Sequence, residues 1–406
     1  MTKSNWKKCK LGDALNFHRG YDLPKEQMTG QGYPVVGSNG IIGYHKEYTT
    51  SNPCLVIGRS GNTGKPAIYH QHCWAHNTTL YVDDFKNNNA QFLFYMLKTM
   101  DLGSYAAGSA VPTLNRNHIH PLEISLPPLE EQKRIAEILG AFDDKIELLQ
   151  KQNKTLEEMA KAIFKSWFVY FDIVRAKQKG EKKEDIIKNY HLTEELYNLF
   201  PSSFVDSSLG PIPLGWEVDK LINRCTIMLG GTPSRLKKEY WKHGTIPWIA
   251  SGKVNDFRIA TPSEYITQEG LNNSATKLMP KRTTVIAITG ATLGQISLTE
   301  IKCCANQSVV SVLGDKDLFS EYIYFWIQHN INLLLSKQTG GAQQHINKND
   351  VESLLVLVPS NNILKPYLHQ VKPLFDKISN NIQQIQTLTE LRDTLLPRLI
   401  SGKIKV

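Results

Sequence analysis

Three short stretches carry residue types that could do chemistry. "GRSGNTGK", residues 58–65, has the glycines and lysine of a phosphate-cradling loop. Such a loop needs the spacing GxxxxGK[ST], with backbone amides on phosphate and a hydroxyl on Mg²⁺. Here Arg59 stands where the first glycine is required, and Pro66 where the hydroxyl is required. Nucleotide binding is not expected. "YHQHCWAH", residues 69–76, offers His70, His72, Cys73 and His76, donors that zinc would accept. The related segment "TEIKCCANQ" keeps only Cys303 of this set, so histidines scattered beside strands are the expected reading. "NPCL", residues 52–55, lacks the second proline and the aromatic residue of the Asn-Pro-Pro-aromatic loop of amino-methyltransferases. No Ser-His-Asp set and no paired carboxylates stand out. The residues make no case for catalysis.

The segments that would position these residues occur twice. "WKKCKLGDA" from Trp6 matches "WEVDKLINR" from Trp216, and "YPVVGSNG" around Pro34 matches "IPWIASGK" around Pro247. "RSGNTGKPAI" matches "ITGATLGQIS", "HNTTLYV" matches "NQSVVSV", and "LNRNHIHPLEISLPP" matches "INKNDVESLLVLVPS". The offsets are 210, 213, 229, 230 and 232. They rise monotonically, as in a tandem duplication with insertions in the second copy. "CLVIGRSG", "TTLYVDD", "TTVIAITG" and "SVVSVLG" are β-branched runs bounded by Gly or Asp and predict strands. "NAQFLFYMLKTM" and "FSEYIYFWIQHNINLLLS" have helical spacing. Each copy is therefore expected to be α+β.

A helix follows each copy. Ile135, Leu139, Phe142, Ile146, Leu149, Leu156, Ala160, Ile163 and Trp167 form a heptad seam that skips the polar Asn153. An asparagine in a seam costs stability but can fix pairing register. Val371, Phe375, Ile378, Ile382, Ile385, Leu388 and Leu395 form the second seam. Pro366 suits a first helical turn, whereas Pro373 is expected to delay or kink that helix. The expected architecture is two globules, 1–128 and 210–359, separated by two long antiparallel helices, 129–170 and 360–406, with a pseudo-two-fold axis. Residues 171–209, charged at the start and ending in "SSLGPIP", read as a linker.

The 406 residues, 41% hydrophobic and 21% charged, suit a water-exposed protein of two or three domains. No apolar run is long enough to span a membrane, and the N-terminus lacks the apolar core of a signal peptide. A cytoplasmic location is expected. Six cysteines without a CxxC pair suggest reduced, structural thiols. The net charge of +9 favours a polyanionic partner.

Four motifs in order, "LPPLEEQKRIAEIL", "SWFVYFDIVRAKQKG", "FVDSSLGPIPLGWEV" and "LRDTLLPRLISGKI", make the chain similar to the specificity (S) subunits of type I restriction–modification enzymes. The resemblance covers nearly the whole length. It implies a subunit without an active site, whose two target-recognition domains read an asymmetric bipartite site in duplex DNA. It implies two methyltransferase (M) subunits docked on the helices and two restriction (R) subunits joined through them. S-adenosylmethionine, ATP and Mg²⁺ would belong to those partners, with no cofactor in this chain. The second copy has lost the Pro-Pro-Leu-Glu-Glu-Gln form, which bears on docking there.

With this resemblance, loop residues become candidates for DNA contact: Arg19, Tyr21, Ser38, Asn39, Arg59, Ser60, Asn62, Lys65, Asn115 and Arg116 in the first copy. In the second they are Arg235, Lys237, Lys238, Ser251, Lys253, Thr289, Thr292, Gln343, Gln344, His345 and Asn347. Lys and Arg would hold phosphates, while amides and hydroxyls would read base edges. Glu130, Gln132, Lys133, Trp167 and Phe168 are candidates for partner docking. The alternative reading is a coiled-coil adaptor for proteins, which would lack salt-dependent DNA affinity.

Overall fold

The computed structural model describes residues 6–108, 112–314, 318–336 and 345–406. The chain forms two compact units, one of residues 1–149 with 384–406 and one of residues 150–383.

In the first unit, strands Asn16–Arg19, Thr79–Asp84, Cys54–Gly58 and Pro66–Tyr69 lie side by side in that order, all antiparallel. The run CLVIG is buried along its whole length, which is why it lacks a polar alternation. Pro66 opens the edge strand, where a missing amide is tolerated. A second sheet joins Gly40–His45, Tyr33–Gly37 and Trp74–Ala75, the last two parallel. Lys7–Lys10 pairs with Glu123–Leu126. Helix Ala90–Lys98 is capped by the Asn89 side chain, which accepts from Phe92 N. It packs Phe92, Leu93 and Tyr95 onto the larger sheet.

The second unit repeats this plan strand for strand. Cys225–Leu229, Val309–Gly314, Thr284–Ala287 and Ile296–Leu298 make the antiparallel sheet, and Glu264–Ile266, Ile246–Ile249 and Cys304–Ala305 make the mixed one. Glu217–Lys220 pairs with Leu355–Val358. Registers match as well: Lys7↔Leu126 corresponds to Glu217↔Val358, and Val35↔Trp74 to Trp248↔Cys304. These pairs carry the offsets 210, 232, 213 and 230 seen in the sequence, so the duplication extends to individual ladder partners.

Two 40-residue helices, Leu129–Phe168 and Asn361–Ile400, each span about 60 Å. Within the first unit, Ile135 and Leu139 share a core with Leu396 and Leu399, and Arg392 Nη1 donates to Asp143 Oδ1 at 2.5 Å. Within the second, Asn153 meets Asn381, and Phe168 packs on Tyr367 with ring centroids 4.9 Å apart. In both, rising numbers on one helix meet falling numbers on the other, the antiparallel sense. Near the end of the first helix the buried side chains are Ala160, Phe164, Trp167 and Phe168, while Ile163 is half-buried.

Asn153 fills the gap in the heptad seam. Asn381 Nδ2 donates to its Oδ1 at 2.9 Å, both residues being buried, and Asn381 Oδ1 has no partner among the described residues. Asn153→Leu, which leaves the Asn381 amide only its longer bond to Gln152 Oε1 (3.4 Å), is expected to cost about 1–3 kcal/mol. The Asn153→Leu/Asn381→Leu pair should restore or exceed the original stability and loosen the pairing register. Urea midpoints of the three variants check this; a double variant as unstable as the single would contradict it.

Two expectations are corrected. The second helix runs through Pro366, six residues in, and through Pro373. A helix-interior proline costs about 3 kcal/mol or more. Full burial of Val371, Phe375 and Ile378 on either side, each contributing about 1.5–3 kcal/mol, offsets it. Residues 171–209 are also more than a linker. They form helices Asp172–Gln178, Lys183–Asn189 and Glu194–Leu199, burying Ile173, Val174, Ile186 and Leu196 in the second unit's core. Lys177 Nζ clamps them by donating to the carbonyls of Tyr197 (2.7 Å) and Phe200 (2.5 Å). No described helix is long and apolar enough to cross a membrane.

Candidate nucleic-acid interface

Antiparallel order brings the end of Asn16–Arg19, the start of Thr79–Asp84, the end of Cys54–Gly58 and the start of Pro66–Tyr69 to one edge of the sheet. The hairpin tip between Gly37 and Gly40 and the end of Trp74–Ala75 join them there through backbone bonds. Gly20 N donates to Thr79 O (3.1 Å), Tyr21 N to Ala75 O (2.8 Å), and His76 N to Val36 O (2.9 Å). Arg59 N donates to Thr78 O and Leu114 N to Arg59 O, both at 2.8 Å. Five separate loops are thereby welded into one surface.

The second unit makes the same five bonds at the matching positions. Gly230 N donates to Val309 O (3.0 Å), Gly231 N to Ala305 O (2.8 Å), and Asn306 N to Ile249 O (3.0 Å). Ile288 N donates to Ser308 O (2.9 Å) and Ile346 N to Ile288 O (3.0 Å). The backbone scaffold is shared, while the side chains on it differ. Arg59 corresponds to Ile288, Tyr21 to Gly231, Asn77 to Gln307, and Asn39 to Gly252.

The sequence profile of the type I restriction modification DNA specificity domain matches residues 3–158 and again residues 213–390. The chain belongs to the type I restriction–modification specificity subunits. The specificity subunit is the non-catalytic, DNA-binding member of its complex, built on target-recognition domains. Among its relatives, the MjaIX specificity subunit of Methanocaldococcus jannaschii is 28% identical over 327 residues, 78% of this chain and 69% of that protein. The HindI specificity subunit of Haemophilus influenzae is 28% identical over 356 residues, 77% of each. The S subunit of the M. genitalium type I system superposes with a TM-score of 0.62, covering 98% of this chain and 97% of that one. At 17% identity, that likeness is one of fold.

On this specificity subunit, the first unit's edge gathers Arg19, Tyr21, Ser38, Asn39, Arg59, Ser60 and Asn62, with Lys65 beside them. Arg19, Tyr21, Asn39, Asn62 and Lys65 are exposed; Ser38, Arg59 and Ser60 are half-buried. Arg59 Nη1 donates to Asn77 O (3.3 Å), and Tyr21 leans on Tyr81 and Trp74. Asn115 caps the short helix Arg116–Ile119, and Arg116 Nη1 donates to Phe17 O at 2.9 Å, back into the sheet. Residues 58–65 form a hairpin loop followed by a strand. Gly58 N bonds Lys65 O, Gly64 N bonds Gly58 O, and no helix N-terminus is present for a phosphate. His72 Nδ1 bonds Thr50 O, His76 Nδ1 meets Thr78 Oγ1, and Cys73 is buried beside Cys54. Burial holds His76 below the ordinary imidazole value.

In the second unit, Ser251, Lys253, Thr289 and Thr292 lie in the corresponding loops. Lys253 is engaged by Asp256 Oδ2 and Thr261 Oγ1, both at 2.9 Å. Arg235 makes a bidentate pair with Glu264, which raises the guanidinium's proton affinity, and Lys237 Nζ donates to Tyr240 OH at 2.8 Å. Lys238 is exposed, Asn347 caps helix Lys348–Glu352, and His345 bridges Thr289. Gln343 and Gln344 lie outside the described residues.

Two positions at this edge escaped selection, the half-buried Asn77 and the exposed Gln307, along with the hydroxyls Thr78 and Thr232. Thr78 Oγ1 accepts Ser38 N at 3.2 Å, and Thr232 Oγ1 bonds Gln307 Oε1 at 2.5 Å. Their signal was present, since "HNTT" and "NQSV" match between the copies, but the match reads as a strand start.

The docking candidates divide. Glu130 and Lys133 are exposed and paired with each other at 2.7 Å. Gln132 is buried instead. Its Nε2 donates to Asn88 Oδ1 (2.8 Å) and Pro127 O (3.0 Å), and its Oε1 accepts Asn89 N. Trp167 and Phe168 belong to the second unit's own aromatic core with Phe164, Tyr322 and Tyr367.

Proposed function

We propose that each unit reads one half-site of duplex DNA, and that the two half-sites differ, giving an asymmetric bipartite target. The observation that supports this is the pair of identical backbone scaffolds carrying unlike side chains. Matched welds would give both edges the same approach to DNA, and Arg59 against Ile288, or Tyr21 against Gly231, would give them different base preferences. Lys65 and Lys238 would contribute phosphate contacts and salt sensitivity. The exposed faces of the long helices, including Glu130 and Lys133, would receive two methyltransferase subunits and, through them, two restriction subunits. Adenine methylation with S-adenosylmethionine, and ATP- and Mg²⁺-dependent cleavage, would take place on those partners. The helix length between recognition surfaces would set the gap between half-sites.

The test is a map of modified bases. The chain is co-expressed with its neighbouring methyltransferase subunit in a host free of methylation, and the genome is sequenced for N6-methyladenine. The expected result is a two-part motif with unlike halves and one fixed gap. A recovered complex that methylates nothing, or a continuous motif, would overturn the reading.

A further inference from the structure

One side chain at the second unit's edge is not explained by folding. Leu236 is 94% exposed. It sits in the segment 230–245 that leaves strand Cys225–Leu229, at the corner of a turn closed by Lys237 N donating to Ser234 O at 3.3 Å. A leucine on a slack loop folds back onto the protein, because burial of its surface is favourable. This loop has no slack. Trp241 Nε1 donates to Ser234 O at 3.2 Å, and Trp248 Nε1 to Gly231 O at 3.1 Å. The Arg235 guanidinium lies 3.5 Å from the Trp241 ring centroid and is gripped by Glu264 at 2.7 and 2.8 Å. Lys237 is held by Tyr240. Both neighbours are engaged by the protein, and the leucine projects alone.

We infer that Leu236 is an apolar wedge that enters the stack of base pairs at or beside the second half-site and opens one step. The inference rests on the half-site reading above and adds a deformation of the DNA to it. Side chains of this kind unstack base steps in duplexes that proteins kink, and the deformation depends on the sequence being deformed. Charge identifies the occupant as DNA: Lys238 and Lys242 are exposed beside the leucine, and Glu239 is the one acidic residue between Ser234 and Thr245. Such a basic rim suits phosphates flanking an opened step and is unsuited to an apolar protein socket. The wedge would therefore add selectivity without contacting a base edge, by favouring pyrimidine–purine steps, which open most easily.

The experiment uses the full chain co-purified with its methyltransferase. The probe is a duplex bearing the methylated motif, with 2-aminopurine placed in turn at each step around the second half-site, away from the methylated adenine. One position should brighten on binding. Leu236→Ala should abolish that signal and weaken binding of the motif about tenfold, with binding to an unrelated duplex unchanged. Leu236→Met, also apolar, unbranched at Cβ and of similar volume, should recover both. Leu236→Ala that brightens and binds like the parent overturns the wedge alone. Loss of co-purification with the methyltransferase, with DNA selectivity intact, also overturns it and assigns the leucine to a protein contact. A parent complex that selects no duplex overturns the half-site reading and the wedge together.

Discussion

Replacing Arg258 with alanine is expected to destabilise the second unit by about 3–5 kcal/mol, the usual cost of stranding a buried charge partner. The Arg258 side chain is 1% exposed and Glu157, on the first long helix, 13% exposed. Arg258 Nη1 donates to Glu157 Oε2 (3.0 Å), Tyr324 OH (2.9 Å) and Phe257 O (2.9 Å), and Tyr324 OH donates to Glu157 Oε1 at 2.6 Å. Burial opposes the guanidinium's charge, and Tyr324 and Glu157 outweigh it, holding the group above its ordinary value. Arg258→Ala leaves the carboxylate and phenol facing a void. Arg258→Met with Glu157→Leu removes both charges and should recover most of the loss. Urea unfolding of the two single variants and the pair gives the coupling energy directly. A single-variant loss under about 1 kcal/mol would refute the assignment. Because Phe257–Arg258 follows the loop that carries Ser251 and Lys253, reading of the second half-site should weaken along with stability.

The second large effect concerns two glycines in matching places. A Cβ on Gly20 would lie 2.1 Å from His76 O, and one on Gly230 would lie 2.0 Å from Asn306 O. Both obstacles are backbone oxygens, so no rotamer change relieves them, and the first weld of each edge must open. Overpacking of this kind costs about 1–3 kcal/mol, or roughly 5- to 150-fold if it is spent on recognition. Gly20→Ala should relax the motif at one half and Gly230→Ala at the other, with the gap unchanged in both. Mapping N6-methyladenine for each variant beside the parent decides the matter. Relaxation of the same half by both substitutions would contradict the one-unit, one-half-site assignment.

The repeat was legible without coordinates because matched segments recur at steadily rising offsets, and the helices because their apolar seams keep a heptad period. Segment similarity placed Val35 opposite Trp248 in the alignment of the two copies, and the structure adds that each pairs in parallel with a matching partner, Trp74 and Cys304. Asn153 was visible as a polar break in an apolar seam, although its partner Asn381 was not. The failed phosphate loop was legible from spacing, and the hairpin at 58–65 supplies the geometric reason.

What stayed hidden was which side chains are already spoken for. Gln132 looks like a surface glutamine on a docking helix until Asn88 and Asn89 claim it. Arg235 looks like a free phosphate contact until Glu264 grips it from 29 residues away, and Glu157 looks like a solvent-facing carboxylate until Arg258 reaches it across 101. Trp167 gives no hint by period alone whether its apolar face meets a partner or the chain's own Tyr367. Local pattern dictates backbone path, because the cost of an unpaired amide or an exposed apolar face is paid where it arises. The fate of a long polar or aromatic side chain depends on groups that only folding brings within 3–6 Å, and on Leu236 it depends on none of them.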